Sequence, residues 1–452
     1  MRVLLISTYD LGRQPFGLAS PAAWLKEAGV EVVCADVAKE RLSDEAVRAA
    51  DLVAFYLPMH TATRLALPVI DRVRARNPRA RLVAYGLYAP LNASLLESHG
   101  VSTILDGEFE EDLVDLVRPP DARDGGDAKL KLRAPYRPAI ARLEFRVPDR
   151  SGLPPLSNYA TLQVGDERRT AGYTEASRGC KHHCRHCPIV PIYNGQFRVV
   201  SPDVVLADAA AQVAAGARHI TFGDPDFFNG PRHARTIMER FARDLPGTTY
   251  DVTIKVEHLL KHADLLPLLR DTGCAFVTSA VESLDDEVLR RLQKGHTRAD
   301  FERVVALFRE TRLALAPTFV AFTPWTTRES YRDMVDSIDR LDLVDHVPPI
   351  QFAIRLLVPQ GSRMLDLPEM RDLVGPFDPS SLTYPWTHPD PAVDRLQHEV
   401  MQAVGVKIAA SRRETFSRIW TLAHDGAQAP MPRDRGAMPR AAIPYLNEPW
   451  YC

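Results

Sequence analysis

The chain has 452 residues, enough for two or three domains with cores of their own. Its 56 Lys and Arg residues nearly balance its 58 Asp and Glu residues, for a formal net charge of −2 at pH 7. This balance gives no electrostatic reason to expect nucleic acid or an anionic membrane as a partner. No stretch approaches the roughly 18 apolar residues of a membrane span. Six cysteines, three of them clustered, do not make a disulfide framework, which indicates a cytoplasmic, reducing location.

Residues 1–118 alternate short apolar runs with amphipathic segments. The predicted strands of this region cover 3–7, 30–34, 52–57, 81–85 and 102–105. The predicted helices cover 20–28 and 63–75. Short strands that alternate with helices predict an α/β domain with a parallel, doubly wound sheet.

Residues 119–172 are rich in Pro and Gly breakers and are predicted to be a linker. Alternation resumes over 173–370, with predicted strands at 219–222, 250–256, 276–280, 315–322 and 351–357. Predicted helices cover 202–215, 232–241, 262–272, 286–293, 299–311 and 328–341. About six βα units predict a partial barrel, because a closed one needs eight. Residues 371–452 are predicted to hold one helix, from 391 to about 413 or as far as 424, and an irregular tail.

Three cysteines, Cys180, Cys184 and Cys187, follow one another with C-x3-C-x2-C spacing. Three thiolates on one short loop can each hold one iron of a cubic [4Fe–4S] cluster, which leaves the fourth iron without a cysteine. Such an iron has open positions for a small molecule. The alternative is a zinc site made from the three cysteines with His183 or His186.

This cysteine loop resembles that of the radical S-adenosylmethionine (SAM) enzymes, although the position before the third cysteine is usually aromatic and here is His186. In that family the unique iron chelates the amino and carboxylate groups of SAM. An electron from the cluster then cleaves SAM to a 5′-deoxyadenosyl radical. The resemblance therefore implies a radical enzyme with a [4Fe–4S] cluster and SAM as cofactors.

The resemblance extends to segments that follow the predicted barrel strands. Phe222, Gly223 and Asp224 resemble the segment whose backbone carbonyls and acid hold the SAM amino group, although Gly-Asp-Pro is also ordinary turn chemistry. Glu282 would accept hydrogen bonds from the SAM ribose, and Ser283 is either a neighbour of SAM or a helix N-cap. Backbone contacts with the adenine are implied for two further residues, Leu357 and Val358.

Two cations of the predicted barrel, Lys255 and Arg355, are candidate catalytic residues. A cation inside a barrel needs an anion, which the SAM carboxylate or the substrate could supply. The alternative is an internal ion pair, of Lys255 with Glu257 or Asp224.

Residues 1–118 resemble the cobalamin-binding domain that precedes the radical domain in one large subclass. The segments that carry this resemblance cover 17–18, 24–32, 50–54, 76–86 and 105–113. Open parallel sheets bind ligands beyond the carboxyl ends of their strands. The implied cobalamin contacts are Thr8, Tyr9, Leu57, His60, Tyr85, Gly86, Gly107 and Glu108. The Asp-x-His-x-x-Gly motif is absent, so no lower axial histidine is expected, and Tyr85 with Tyr88 would crowd the site.

The last residues, 444–452, are aromatic and apolar, which is unusual for a frayed end. They faintly resemble tails that carry a Cys-Cys or Cys-selenocysteine pair before Ala-Glu-Pro, but only Glu448 and Pro449 match. Cys452 is a third candidate catalytic residue, and packing of the tail on the barrel is the alternative.

Together these resemblances imply a cobalamin-dependent radical SAM enzyme that methylates an unactivated carbon of a small molecule or peptide. An electron donor such as a flavodoxin or ferredoxin is the implied partner. One alternative uses the radical for rearrangement, cyclisation or another group transfer without methylation. A more distant alternative is a non-catalytic protein with zinc or a redox-sensing cluster.

Overall fold

The computed structural model describes residues 1–118, 143–405, 411–424 and 444–447. The first unit is a five-stranded parallel sheet of order β2-β1-β3-β4-β5 with helices on its two faces. Its strands are β1 Arg2–Ser7, β2 Glu31–Asp36, β3 Leu52–Tyr56, β4 Arg81–Tyr85 and β5 Thr103–Ile104. Its helices are α1 Phe16–Glu27, α2 Asp44–Ala49, α3 His60–Arg76, α4 Ala93–Ser98 and α5 Glu110–Val117. The doubly wound parallel sheet is confirmed.

Three short helices of this sheet domain, α2, α4 and α5, were not predicted from the sequence. Two of them have six residues and the third has eight, too few for a clear helical period. Helix α2 does carry a capping signal, since the Ser43 side chain accepts a hydrogen bond from the Ala46 N–H. Helix α1 begins at Phe16 rather than at residue 20 and contains Pro21.

The second unit is a seven-stranded sheet of order β13-β12-β11-β10-β7-β6-β14, in which β7 and β10 to β13 run parallel. Its strands are β6 Thr161–Val164, β7 Glu167–Thr174, β10 His219–Phe222, β11 Thr249–Thr253, β12 Cys274–Glu282, β13 Leu315–Phe319 and β14 Tyr445–Leu446. A separate two-stranded ribbon is formed by β8 Ser177–Gly179 and β9 Phe197–Val199. Five parallel strands make a half-barrel, which confirms the predicted partial barrel.

The helices of the second unit surround this sheet. They are α6 Val190–Tyr193, α7 Pro202–Ala214, α8 Pro231–Asp244, α9 Val256–Lys261, α10 Leu266–Asp271, α11 Asp286–Leu292, α12 Arg298–Thr311 and α13 Arg328–Arg340. The C-terminal region adds α14 Pro368–Leu373, α15 Pro391–Gly405 and α16 Arg412–Ala423. The predicted helical C-terminal region is therefore present.

Three sequence predictions about the second unit were wrong. The last part of the predicted linker, from residue 161 to 172, belongs to the antiparallel hairpin β6–β7, whose second strand lies beside β10. The strand predicted at 351–357 is reduced to a single bridge between Phe322 and Arg355. The single C-terminal helix is two helices, because Ser411 starts α16 with a capping box of its own. The division into domains at 118, 172 and 370 otherwise remains a prediction.

A buried ion network joins the two units. The guanidinium of Arg178, in β8, donates to Glu108 and Glu110 of the first unit and to Glu175 at distances of 2.7–3.0 Å. The Ser20 hydroxyl donates to Glu110 from helix α1. Because a buried charge is tolerated only when it is paired, this network fixes the β8 ribbon against the sheet domain.

Within the described ranges, no helix combines the length and the apolar character that crossing a bilayer requires. The residues of the tail after 447, including Cys452, lie outside the described ranges.

Candidate active site

The three cysteines lie on the loop that connects β8 with β9. Gly179 precedes the loop with a φ of +74°, and a Cβ there would approach the Gln196 carbonyl oxygen to 2.5 Å. A tight turn follows, in which the Cys187 N–H donates to the Cys184 carbonyl. The Arg185 N–H donates to the carbonyl of Leu292, so the loop is fixed to the end of helix α11.

The three thiols form a set that suits a metal cluster. Burial raises the pKa of Cys187 to about 12, with smaller contributions from the neighbouring Cys184 and Cys180. Burial also raises the pKa of Cys180. Neighbouring thiols of the loop contribute to both increases, so three thiolates here need a compensating cation, which iron would supply. The residues therefore fit the [4Fe–4S] cluster.

The histidines of the zinc alternative have neighbours other than the thiols. His186 Nε2 lies 3.1 Å from Glu282 Oε1. The exposed His183 lies against Gly195, where a Cβ would come within 2.6 Å of its Nε2. These contacts do not favour a zinc site of three cysteines and one histidine.

Glu282 is the best-defined acid of the site. It ends β12 at a register shift, with a φ of +69°, and its carboxylate accepts from His186 and from Lys294 Nζ at 3.3 Å. Although burial alone would raise the pKa of Glu282, Lys294 and His186 together lower it to about 2. The carboxylate is therefore charged at any physiological pH. Sequence reasoning predicted Glu282 but gave no role to Lys294.

Asp224 lies after β10, fully enclosed. Its carboxylate accepts from the Ser177 hydroxyl and from the Ala176 N–H, and burial raises the pKa of Asp224 to about 7. The Tyr173 hydroxyl packs against the adjacent Gly223, and a Cβ at that position would clash with the hydroxyl oxygen. The Phe222 ring packs on Phe227 in the core, so only the backbone of Phe222 can face a ligand.

The remaining predicted SAM residues differ in exposure. The Ser283 hydroxyl accepts from the Asp285 N–H, while Asp285 itself caps α11, so the N-cap alternative for Ser283 was wrong. Leu357 is 40% exposed. Val358 is buried, and its carbonyl accepts from the Tyr384 N–H.

The two candidate catalytic cations are both paired within the chain. Lys255 Nζ lies 3.5 Å from Glu257 Oε2, so the internal pair considered from the sequence is present. The Arg355 guanidinium donates to Asp394 at 2.5 Å and to the carbonyl of Trp386, over whose ring it stacks. Arg355 therefore anchors the C-terminal region to the barrel.

The side chains predicted to contact cobalamin are mostly engaged by protein. Thr8 donates to the Ala62 carbonyl, Tyr85 donates to the Gly17 carbonyl, and Glu108 pairs with Arg178. His60 Nε2 lies 2.5 Å from the Ser381 carbonyl oxygen. Tyr9, Leu57 and Gly86 are also buried, whereas Gly107 is partly exposed. The space enclosed by Gly17 and the Tyr56, Tyr85 and Phe109 rings is filled.

A second group of ionisable residues beside the cluster loop was not predicted. His182, between the first two cysteines, Asp226, two residues after Asp224, and His258, in α9, converge with their ligand atoms within 4.8 Å of one another. His296 is also buried, and in the described part of the chain neither of its ring nitrogens has a hydrogen-bond partner. These residues are far apart in sequence, so only the folded barrel brings them together.

Comparison with known families identifies the half-barrel. The family model described as the radical SAM superfamily matches residues 174–341. This part of the chain is a radical SAM domain. The match confirms the family resemblance of the cysteine loop and implies the [4Fe–4S] cluster and SAM as its cofactors.

Relatives and solved structures extend the likeness to the sheet domain. The hopanoid C-3 methylase of Methylococcus capsulatus is 23% identical over 335 residues, which cover 71% of this chain and 64% of the relative. The cobalamin-dependent SAM radical enzyme OxsB, with aqua-cobalamin bound, superposes with a TM-score of 0.67 at 15% identity, covering 88% of this chain and 66% of that one. The radical SAM methyltransferase TsrM from Kitasatospora setae gives a TM-score of 0.57 at 19% identity, and the superposition covers 75% of this chain and 71% of TsrM.

At these identities the solved structures show the fold. They confirm an N-terminal α/β domain followed by a half-barrel and a helical C-terminal region. The chain spans less than half the length of the first curated relatives that it matches, 39% of one and 43% of another.

Proposed function

We propose that this chain is a cobalamin-dependent radical SAM enzyme that methylates an unactivated carbon of a small molecule or peptide. One observation supports it most: the carboxyl edge of the sheet domain lies against the cysteine loop. Ile192, five residues after Cys187, packs on the core of the sheet domain and lies 3.7 Å from the position of a Cβ on Gly107. A corrin on that edge would therefore lie next to SAM.

The residues of the half-barrel would bind and position SAM. The charged Glu282 carboxylate suits the ribose hydroxyls. Asp224 suits the SAM ammonium, and that cation would favour the ionised form of an acid whose pKa burial raises to about 7. Exposed Leu357 supplies an apolar surface for the adenine. The cofactors supply the radical and the methyl group, while the protein positions the reactants and excludes water.

The sheet domain would hold the corrin on its outer surface. Gly107 is partly exposed at the edge of the sheet, and so is His60, whose Nε2 faces the Ser381 carbonyl. The Tyr56, Tyr85 and Phe109 rings fill the space beneath them, which leaves no room there for a buried nucleotide tail. The bound cobalamin of OxsB and the methylases among the relatives support this assignment.

Isotope transfer tests the proposal. The anaerobically prepared, cluster-loaded enzyme is incubated with methyl-deuterated SAM, hydroxocobalamin, a strong reductant and candidate substrates. We expect cobalamin to co-elute with the protein and the deuterated methyl group to appear in the product, as measured by mass spectrometry. A rearrangement or cyclisation would leave the label in methionine. Failure to retain cobalamin after gel filtration would contradict the proposal, even where 5′-deoxyadenosine is formed.

Glu282→Gln gives a graded test of SAM binding. The amide keeps one acceptor oxygen but loses the charge-assisted bonds, each worth about 1.5–3 kcal/mol. We expect the affinity for SAM to fall about ten- to a hundredfold, as measured by equilibrium dialysis, with the iron content unchanged. Glu287→Gln, five residues along the chain on the exposed face of α11, is the control and should bind SAM like the wild type. Equal affinities for the two variants would exclude Glu282 from the SAM site.

The cytoplasmic location and the external electron donor also remain part of this proposal. A cluster that must be reduced before SAM is cleaved requires a low-potential donor, for which flavodoxin and ferredoxin are the expected classes.

A further inference from the structure

We propose that His182, Asp226 and His258 bind one divalent transition-metal ion, zinc foremost, beside the cysteine loop. The three residues come from three different elements: the β8–β9 loop, the segment after β10 and helix α9. All three lie at the same edge of the half-barrel as the cysteine loop. The inference is independent of cobalamin and of methylation.

The geometry of Asp226 aims one oxygen at both imidazoles. Its Oδ1 accepts from the Phe228 N–H at 3.1 Å. This bond fixes the carboxylate as the N-cap of the short 3₁₀ helix Phe227–Asn229. Its Oδ2 then lies 3.4 Å from His182 Nε2 and 2.6 Å from His258 Nδ1. Asp226 is fully buried, His258 is 1% exposed and the His182 side chain is 13% exposed.

The three proposed ligand atoms lack hydrogen bonds to other groups of the described chain. Asp226 Oδ2, His182 Nε2 and His258 Nδ1 are buried, and in the described part of the chain none has a partner in hydrogen-bonding geometry. Close approach without hydrogen-bonding geometry is the pattern expected when lone pairs converge on a common point. Two imidazoles and one carboxylate are the donor set of catalytic zinc and of non-haem iron sites.

The distances are compatible with tetrahedral zinc after a small rotation. Zinc bonds of about 2.0–2.1 Å place two ligand atoms roughly 3.3 Å apart. The His182–Asp226 distance of 3.4 Å matches this value. The His258–Asp226 distance of 2.6 Å is shorter, and a turn of the His258 imidazole about its side-chain bonds would lengthen it.

A carboxylate lies near the second ring nitrogen of one of the proposed ligands. Glu257 Oε2 lies 3.7 Å from His182 Nδ1, on the side of the ring opposite Asp226. Metal-bound histidines usually present their second nitrogen to such a carboxylate, which sets the tautomer. Three protein ligands leave the fourth zinc position for water or a substrate atom, as in catalytic zinc sites. The Glu257 side chain is 42% exposed, so this region is open to solvent.

The metal itself is the probe in the test. In the full-length chain with Cys180, Cys184 and Cys187 all replaced by Ala, zinc cannot bind to an empty cluster loop. We expect this variant to bind about one zinc per chain. Adding Asp226→Asn or His258→Ala should reduce zinc affinity at least tenfold. His262→Ala is the matched control: its ring lies 5.9 Å from that of His258 but outside the ligand set, and its affinity should stay within about twofold.

A second measurement separates ligand loss from misfolding. Asp226→Asn preserves the shape of the side chain, and its far-UV circular dichroism spectrum should match that of the parent variant.

Cobalt(II) in place of zinc should give visible ligand-field bands without thiolate charge-transfer absorption. In the cluster-loaded wild type, metal analysis should give about one zinc beside about four irons. If the wild type instead contains a different divalent ion, and Asp226→Asn and His258→Ala both lose that ion, the site is supported and that ion is its occupant. Absence of any bound ion, or zinc binding unchanged in both variants, would overturn the proposal.

Discussion

Cys184→Ala is expected to abolish SAM cleavage while leaving a folded chain. Cys184 is 6% exposed, and its replacement by a small apolar residue removes little packing. It also removes one of the three thiolates on which a site-differentiated cluster depends. Iron and sulfide content should therefore fall to a small fraction of the wild-type value. Formation of 5′-deoxyadenosine under strong reductant, measured by liquid chromatography, should become undetectable.

Cys274→Ala is the matched control for this experiment. Cys274 is also a buried thiol of the half-barrel, at 7% exposure, but its Sγ faces the Phe276 carbonyl within β12. This variant should keep its iron, its sulfide and its SAM cleavage. Full cluster content and full SAM cleavage in Cys184→Ala would mean that the cysteine loop does not hold the cluster.

Arg178→Met should cause the largest loss of stability. The arginine is 7% exposed, and its removal leaves the carboxylates of Glu108, Glu110 and Glu175 buried without their cation. Breaking a buried ion pair by removing one partner typically costs about 3–5 kcal/mol. For a domain of this size we expect the apparent Tm, followed by circular dichroism at pH 8, to fall by roughly 6–12 °C.

The loss of stability in Arg178→Met should also depend on pH. Even beside the arginine, burial raises the pKa of Glu108 and of Glu175, and without the cation these pKa values rise further. An acid whose pKa is raised by folding contributes stability at low pH that is lost as pH rises through the folded pKa. The difference between variant and wild type should therefore be smaller at pH 5 than at pH 8.

Arg169→Met is the control for the arginine replacement. Arg169 pairs with Glu167 at 2.8 Å in a far more exposed setting on the β6–β7 hairpin, so its loss should cost less than about 1 kcal/mol. If the Tm values of the two variants agree at pH 8, the buried network does not hold the two units together.

The sequence was most informative where chemistry and local pattern coincide. The cysteine spacing predicted one short loop for the three thiols, although the flanking strands β8 and β9 were not predicted. Periodic helices such as α12 and α13 were located to within one residue at either end. Glu282 was identified from a family-like segment, although its left-handed backbone and its partners His186 and Lys294 were not. Those features depend on how β12 ends against α11, and no local pattern encodes them.

The errors have equally specific causes. The Pro and Gly residues at 148–155 suggested a linker and obscured the β6–β7 hairpin that begins six residues later. The apolar run at 351–357 resembles a buried strand, but its length and composition cannot distinguish a strand from an extended segment with one bridge. His182, Asp226 and His258 are separated by more than thirty residues from one to the next, so their convergence requires the folded half-barrel.

The order of the second sheet also affects the solubility of this protein. An open half-barrel leaves unpaired backbone groups along its outermost strands, and such edges can recruit strands from other molecules. On one side, the edge strand of the parallel set, β7, is covered by the antiparallel β6, and β6 is covered in turn by Tyr445–Leu446 of β14. The Asn447 side chain and N–H both donate to Thr161, at the beginning of β6. This short C-terminal strand therefore protects the sheet against edge-to-edge aggregation, a role separate from any chemistry of the tail.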